Sequence, residues 1–250
     1  MHNAAFRELG LADWLYVRLP VAPDLFAEVV GALAASGYAG INVTIPHKQA
    51  ALALADSASD AAAQIGAANT LTFGDGIEAD NTDAQGFLDA LDMPVAGRTA
   101  LVLGAGGAGR AVAWALRKAG ASEVSVWNRT PERARQLADD LGVRAVAAPE
   151  AAEIVVNATS VGLAGSAGDL PLADLPDAEV VADLVYGSDP PPVSAWAIAR
   201  GMRLVDGIEI LVRQGALSFS RWVGRPAPVD VMRDAVRSAD RPLPLRVRFR

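Results

Sequence analysis

Apolar positions along this chain recur with two spacings: every three to four residues over helical stretches, and in unbroken or alternating runs over strands. Residues 3–10 carry the helical spacing and stop at Gly10, and residues 15–19 read as a strand halted by Pro20. Residues 23–36 form an amphipathic helix with Pro23 at its start and Gly37 past its end. A strand over 40–45 meets Pro46, and an Ala-rich helical stretch follows over 47–64. Strands over 68–73 and 77–80 flank the tight turn Gly74-Asp75-Gly76, and a helix follows over 84–91.

From residue 98 the alternation becomes regular. A wholly apolar strand over 99–103 leads through a glycine loop into a helix over 109–119 closed by Gly120, a strand over 123–127 and a helix over 131–141. Apolar runs at 154–156 and 180–186 add buried strands. Helices over 208–222 and 229–238 precede a tail bearing Arg241, Arg246, Arg248 and Arg250, which reads as solvated. Apolar strands alternating with helices predict an α/β fold with a parallel sheet covered on both faces.

Composition narrows the function. Of 250 residues, 52% are hydrophobic and 20% charged, a globular balance. A net charge of −7 leaves no positive field for a polyanion, so neither nucleic acid nor an anionic membrane is an expected partner. Ala-rich stretches are broken by charges, Gly or Pro well short of a bilayer span. The chain has no cysteine and only two histidines, so no metal site is expected, and a cytoplasmic location fits. Of 22 basic residues, only Lys48 and Lys118 are lysine. An ammonium can lose its proton near neutrality and a guanidinium cannot, so a lysine inside a polar motif points to proton chemistry.

The loop Gly104-Ala105-Gly106-Gly107-Ala108-Gly109 fits G-x-G-x-x-G between a strand and a helix. Its glycines permit a tight turn and close approach to a pyrophosphate, whose charge the helix start would meet. The bland alternative is an ordinary β–α turn. The next strand ends in Trp127-Asn128-Arg129-Thr130, with Arg133 a turn further, where an NAD site would carry a carboxylate. Arginine there predicts a 2′-phosphate, hence NADP. Two cations at a helix start oppose its dipole by roughly 0.3–1 kcal/mol each, which argues for a ligand over mere solvation.

The most chemical segment is Asn42-Val43-Thr44-Ile45-Pro46-His47-Lys48. Alternation puts Asn42 and Thr44 on one side of the strand, and Pro46 leaves His47 and Lys48 at its carboxyl end, where open α/β sheets place ligands. Asn69 and the run Asp80-Asn81-Thr82-Asp83 end similar elements. Singly, Asp83 reads as a helix N-cap, Asn69 as a turn residue and Lys48 as a solvated cation. Together they predict a cleft for a small substrate.

These motifs, with Ala68-Asn69-Thr70, Asn157-Ala158-Thr159-Ser160, and Asp206-Gly207 followed by Leu211-Val212-Arg213-Gln214-Gly215-Ala216, resemble the shikimate dehydrogenase family. The match runs in order from His2 to about residue 237. The resemblance implies an NADP-dependent oxidoreductase that interconverts 3-dehydroshikimate and shikimate in aromatic amino-acid (chorismate) biosynthesis. It implies Lys48 and Asp83 as the catalytic pair, with Thr44, Asn69, Asp83, Tyr186 and Gln214 on the substrate. Asp60, Gly104, Ala105, Gly106, Gly107, Ala108, Asn128, Arg129, Thr130, Arg133, Leu184 and Gly207 would contact NADP. The implied architecture is an α/β substrate domain over residues 1–90 and 208–250 and a Rossmann-type, doubly wound NADP domain over 91–207. A homodimer is compatible with it.

The resemblance departs in two places. The family's strand and Ser-x-Ser loop, which bind the substrate carboxylate, precede the His2-Asn3 motif and are absent from this sequence; a shortened start and a lost strand are both open. Ser57-x-Ser59, in an expected helix, and Ser218-x-Ser220 are not replacements on the sequence pattern. Tyr186-Gly187-Ser188 also stands where the family has Tyr-Asn-Pro. The readings kept beside the leading one are a quinate or aminoshikimate dehydrogenase and a non-catalytic NADP-binding regulator.

Overall fold

The computed structural model describes residues 1–163, 170–172, 175, 177–187 and 190–239; the arginine-bearing tail lies outside them, as do Ser188 and Asp189 of the Tyr186 loop. The first part runs α1 (His2–Glu8), α2 (Phe26–Ala35), β1 (Gly40–Asn42), α3 (Lys48–Ala53), β2 (Ser57–Ala58), α4 (Asp60–Ile65), β3 (Thr70–Phe73), β4 (Ile77–Asp80) and α5 (Thr82–Leu91). It continues with β5 (Thr99–Leu103), α6 (Gly107–Lys118), β6 (Glu123–Trp127), α7 (Pro131–Leu141), β7 (Arg144–Ala145), β8 (Ile154–Asn157), β9 (Val180–Asp183), α8 (Pro192–Ala199) and β10 (Arg203–Val205). Helices α9 (Gly207–Val223) and α10 (Val229–Ala239) complete it.

The apolar strands build a six-stranded parallel sheet in the order β10-β9-β8-β5-β6-β7. This is the doubly wound order in which the chain starts at the centre, at β5, and reverses direction between β7 and β8. Alternation along β5 explains why the run is unbroken: Ala100 and Val102 enter one core with Phe87, Leu91 and Leu116, whereas Leu101 and Leu103 enter another with Val155, Val181 and Val193. Residues on both faces are removed from water, so a period-two polar signal is absent. The smaller sheet, β1-β3-β4-β2, is mixed, with β1 and β3 antiparallel.

Several sequence expectations need correction. Residues 15–19 form no strand: the side chain of Asn3 takes the backbone N–H and C=O of Tyr16 at 2.7 and 2.9 Å, and Leu15, Val17 and Leu19 are exposed. A strand needs a ladder partner, and the apolar alternation here has none. The helix expected over 47–64 is three elements. Asp56 breaks it by exchanging hydrogen bonds with Ile77, β2 lies beside β4, and Ser59 caps α4 through Ala62 N–H at 3.2 Å. Ser57-x-Ser59 is therefore a strand and a cap, not helix. The strands expected over 40–45, 68–73 and 180–186 are confined to 40–42, 70–73 and 180–183.

Helices α5 and α9 cross at Gly86, where a Cβ would stand 2.5 Å from the backbone nitrogen of Gln214. Only a residue without a side chain lets the backbones approach this closely. Helix α9 is tied to α10 through Glu209, which accepts from Arg233 Nε at 2.6 Å and Arg213 Nε at 2.7 Å. These hydrogen bonds, Arg233 first, hold its carboxyl at about 2, below its ordinary 4.5. A depressed carboxyl binds fewer protons folded than unfolded, so its stabilisation is present above the ordinary value and disappears as pH falls toward about 2. The urea midpoint of the wild type is accordingly expected to drop more steeply below pH 4.5 than that of Glu209→Gln; parallel curves would show that the pair contributes nothing.

Candidate active site

Pro46 ends the extended run after β1, and the chain turns at Thr44–His47, so that Lys48 opens α3. Helix α5 is capped by Asn81, whose side chain accepts from Ala84 N–H at 3.3 Å. The cap expected of Asp83 is thus supplied two residues earlier, and Asp83 sits in the first turn with its carboxylate free for other work. Lys48 Nζ donates to Asp83 Oδ2 at 2.5 Å, and both side chains are largely buried. Asp83 Oδ1 accepts from Asn69 Nδ2 at 2.8 Å. Asn69 is 2% exposed, and its amide also lies 3.0 Å from Thr82 Oγ1 and 3.3 Å from Gln214 Oε1. Its carbonyl accepts from Thr82 N–H at 2.7 Å.

Residues 48, 69, 83 and 214 thus meet although three separate elements and the turn before β3 carry them. A buried amide with every polar atom paired has one orientation, so Asn69 fixes the direction in which Asp83 faces Lys48. Thr70 and Thr82 join the same network; the sequence motifs include both but assign neither a role. Asn42 extends it: its amide donates to Thr70 Oγ1 at 3.3 Å, and its carbonyl lies 3.1 Å from Tyr16 Oη and 3.3 Å from Ser218 Oγ. Alternation of Asn42 and Thr44 on one side was the signal for it. Thr44 is exposed in the turn that precedes Lys48, and Tyr186 is 45% exposed on the loop after β9.

The second half of the site is the glycine loop. A Cβ on Gly109 would stand 2.0 Å from the carbonyl oxygen of Gly104, so the turn closes only with glycine there. Gly106 caps α6 with no side chain on its amides and no acidic residue in the first turn, and nothing lies within 4 Å of its missing Cβ. Uncapped amides of a twelve-residue helix beside open space suit an anion such as a pyrophosphate. Ala105 and Ala108 complete the turn, and Asn128 Oδ1 accepts from Ala105 N–H at 3.1 Å, so Asn128 braces the loop. Its amide donates to Thr130 O at 2.9 Å. Arg129 and Arg133 are exposed and make no ion pair among the described residues. Leu184 follows β9, and Gly207 opens α9 where a Cβ would meet Val185 O at 2.6 Å.

The two halves touch. A Cβ on Gly107 would stand 3.2 Å from Lys48 Cδ, so the lysine stem runs along the start of α6. Asp60 is apart from this cluster: it opens α4, is exposed, and bonds to neither the loop nor Lys48 among the described residues. Among the described residues no group of His, Asp or Glu suits a metal ion, and no helix is long and apolar enough to cross a membrane.

Comparison with known proteins agrees along the chain. Three family profiles match: the shikimate dehydrogenase substrate binding domain over residues 1–71, shikimate / quinate 5-dehydrogenase over 89–169, and the shikimate 5′-dehydrogenase C-terminal domain over 207–237. The shikimate dehydrogenase (NADP(+)) of Methanothermobacter thermautotrophicus is 43% identical over 95% of this chain and 90% of its own. That of Acidiphilium cryptum is 47% identical over 92% and 87%. The crystal structure of shikimate 5-dehydrogenase from Thermus thermophilus in complex with NADP(H) and shikimate superposes with a TM-score of 0.86 at 41% identity, covering 95% of this chain and 92% of that one.

Proposed function

The chain belongs to the shikimate dehydrogenase family, and from that premise we propose that it is an NADP-dependent oxidoreductase interconverting 3-dehydroshikimate and shikimate. The observation that carries this reading is the Lys48–Asp83 pair, 2.5 Å apart and set against the start of α6. The reaction serves chorismate and aromatic amino-acid biosynthesis. The division of labour follows the two sheets, with residues 1–90 and 208–250 holding the substrate and 91–207 the cofactor.

NADP fits the residues present. The uncapped amides after Gly106 would face its pyrophosphate, Arg129 and Arg133 would take its 2′-phosphate, and Asn128, Thr130, Leu184 and Gly207 would border it. When bound, the nicotinamide supplies the hydride. The chain's own work is to manage charge and protons. As a ketone carbon gains hydride, negative charge grows on its oxygen, and the Lys48 ammonium stabilises that charge and then gives up its proton. Asp83 holds the ammonium aimed, because its carboxylate accepts a charge-assisted hydrogen bond from Nζ at 2.5 Å. In the oxidising direction, Lys48 takes the hydroxyl proton back. Asn69, Gln214, Thr44 and Tyr186 orient ring hydroxyls and the carboxylate around this pair.

Purified protein with shikimate and NADP is expected to produce reduced nicotinamide, with quinate turned over at least about tenfold more slowly. Faster turnover of quinate would reassign the substrate. A thermal shift with NADP but no turnover of either acid would instead make the protein a non-catalytic NADP binder.

A further inference from the structure

Outside the Lys48 network lies the one wholly buried carboxylate among the described residues, amid a dense set of donors. Asp183 ends β9 and is 0% exposed. Its Oδ1 accepts from Asn157 Nδ2 at 2.8 Å and from Val185 N–H at 3.1 Å. Its Oδ2 accepts from Ser194 N–H at 3.1 Å and Ser194 Oγ at 2.9 Å. Burial pushes its carboxyl above the ordinary range, and these four donors work against that. A desolvated carboxylate is costly to keep, so satisfying four donors is not by itself a reason to bury one. Its place in the fold supplies a different reason.

Each donor belongs to a segment at the carboxyl end of the parallel sheet, where such folds bind dinucleotides. Asn157 ends β8, and its own Oδ1 accepts from Thr159 Oγ1 at 2.7 Å and Thr159 N–H at 3.1 Å. The adjoining Ala158 crowds the glycine loop, since a Cβ on Gly104 would stand 2.8 Å from Ala158 O. Val185 lies between Leu184 and Tyr186, and its carbonyl abuts Gly207. Ser194 is in the first turn of α8. One carboxylate therefore sets three segments in register: the loop after β8, the loop after β9 and the start of α8.

We propose that Asp183 is a positioning residue for hydride transfer: by gripping Asn157, Val185 and Ser194 it fixes the 184–186 loop against the substrate-facing half of the site. The inference rests on the dehydrogenase reading above. Among the described residues Asp183 hydrogen-bonds to neither Lys48 nor the glycine loop, so it acts through the loops it holds. Asp183→Asn keeps an acceptor for Asn157 and Val185 but turns an NH2 toward Ser194 N–H, which releases the start of α8 with little change in volume.

Turnover of shikimate and NADP by the wild type comes first; its failure would remove the dehydrogenase reading and leave the positioning role to the unliganded measurement below. In Asp183→Asn, kcat is expected to fall about tenfold, equivalent to roughly 1.4 kcal/mol of barrier. KM for shikimate should stay within about twofold, and the isotope effect on kcat with shikimate deuterated at its reacting carbinol carbon should rise, because a misplaced loop slows hydride transfer itself. Without any ligand, amide exchange at residues 184–187 should speed up at least about tenfold, while β5 and β6 keep their protection. If Asp183→Asn does not fold, Ser194→Ala, which removes one donor, should show the same pattern at about threefold. A folded variant with wild-type kcat, isotope effect and loop exchange would overturn the proposal. So would a fall in kcat that merely tracks the unfolded fraction, or Ser194→Ala indistinguishable from wild type when Asp183→Asn cannot be made.

Discussion

Lys48→Met, which keeps the stem along Gly107 and deletes the ammonium, is expected to lower kcat at least roughly 100-fold while leaving NADP affinity within about threefold. The size follows from what the amine does. Charge that builds on the substrate oxygen needs a cation to meet it, and Asn69 and Gln214 carry only neutral amides. The ammonium is thus the one cation in the hydrogen-bonded cluster, and removing it takes away both electrostatic stabilisation and the proton. Asp83→Asn should approach the same loss by a different route: the lysine loses its charged partner at 2.5 Å and Asn69 its acceptor. Steady-state kinetics with cofactor titration separates the two parameters. A Lys48→Met enzyme with wild-type kcat would strip the residue of its role, and a large loss of NADP affinity would make it a cofactor contact instead.

Arg129→Ala is expected to weaken NADP by roughly 10- to 100-fold, the worth of one or two charge-assisted hydrogen bonds, and NAD by no more than about threefold. The reasoning is electrostatic. Arg129 and Arg133 stand at the start of α7, where the helix dipole disfavours cations, and no carboxylate among the described residues pairs with either. A 2′-phosphate supplies the missing anion, and NAD has none to supply. Isothermal titration with both dinucleotides reads the difference directly. Equal losses for the two would mean that Arg129 serves the adenine or the helix start, and the preference would then lie elsewhere on the surface.

Chemistry was legible in the sequence where a residue type is unusual for its surroundings. Lys48 stood out because the chain otherwise uses arginine almost throughout, and the glycine loop stood out because its glycines fall in G-x-G-x-x-G spacing between a strand and a helix. The strands of the parallel sheet were legible because burial on both faces leaves an unbroken apolar run. Where the same local signal serves two structures, reading failed. The alternation at residues 15–19 is that of a strand, yet a strand exists only with a neighbour, and Asn3 occupies the backbone instead. The alanines of 47–64 have helical propensity throughout, but Asp56 and Ser59 hydrogen-bond locally and divide the stretch. Short strands such as β7 and β10 carry no periodic pattern of their own and owe their state to their neighbours.

By itself the sequence determined the α/β class, the glycine loop, the arginines after the second strand of the larger sheet and the identity of the polar groups. These depend on backbone conformations and residue chemistries that neighbours along the chain already specify. Only the tertiary structure decided that Asn81, not Asp83, caps α5, that Asn69 and Gln214 share one hydrogen bond across 145 positions of sequence, and that the lysine stem lies against Gly107. Each is a pairing between distant segments. Such pairings are selected by close packing and by the cost of leaving a buried polar atom unmatched, and neither can be summed over a local window.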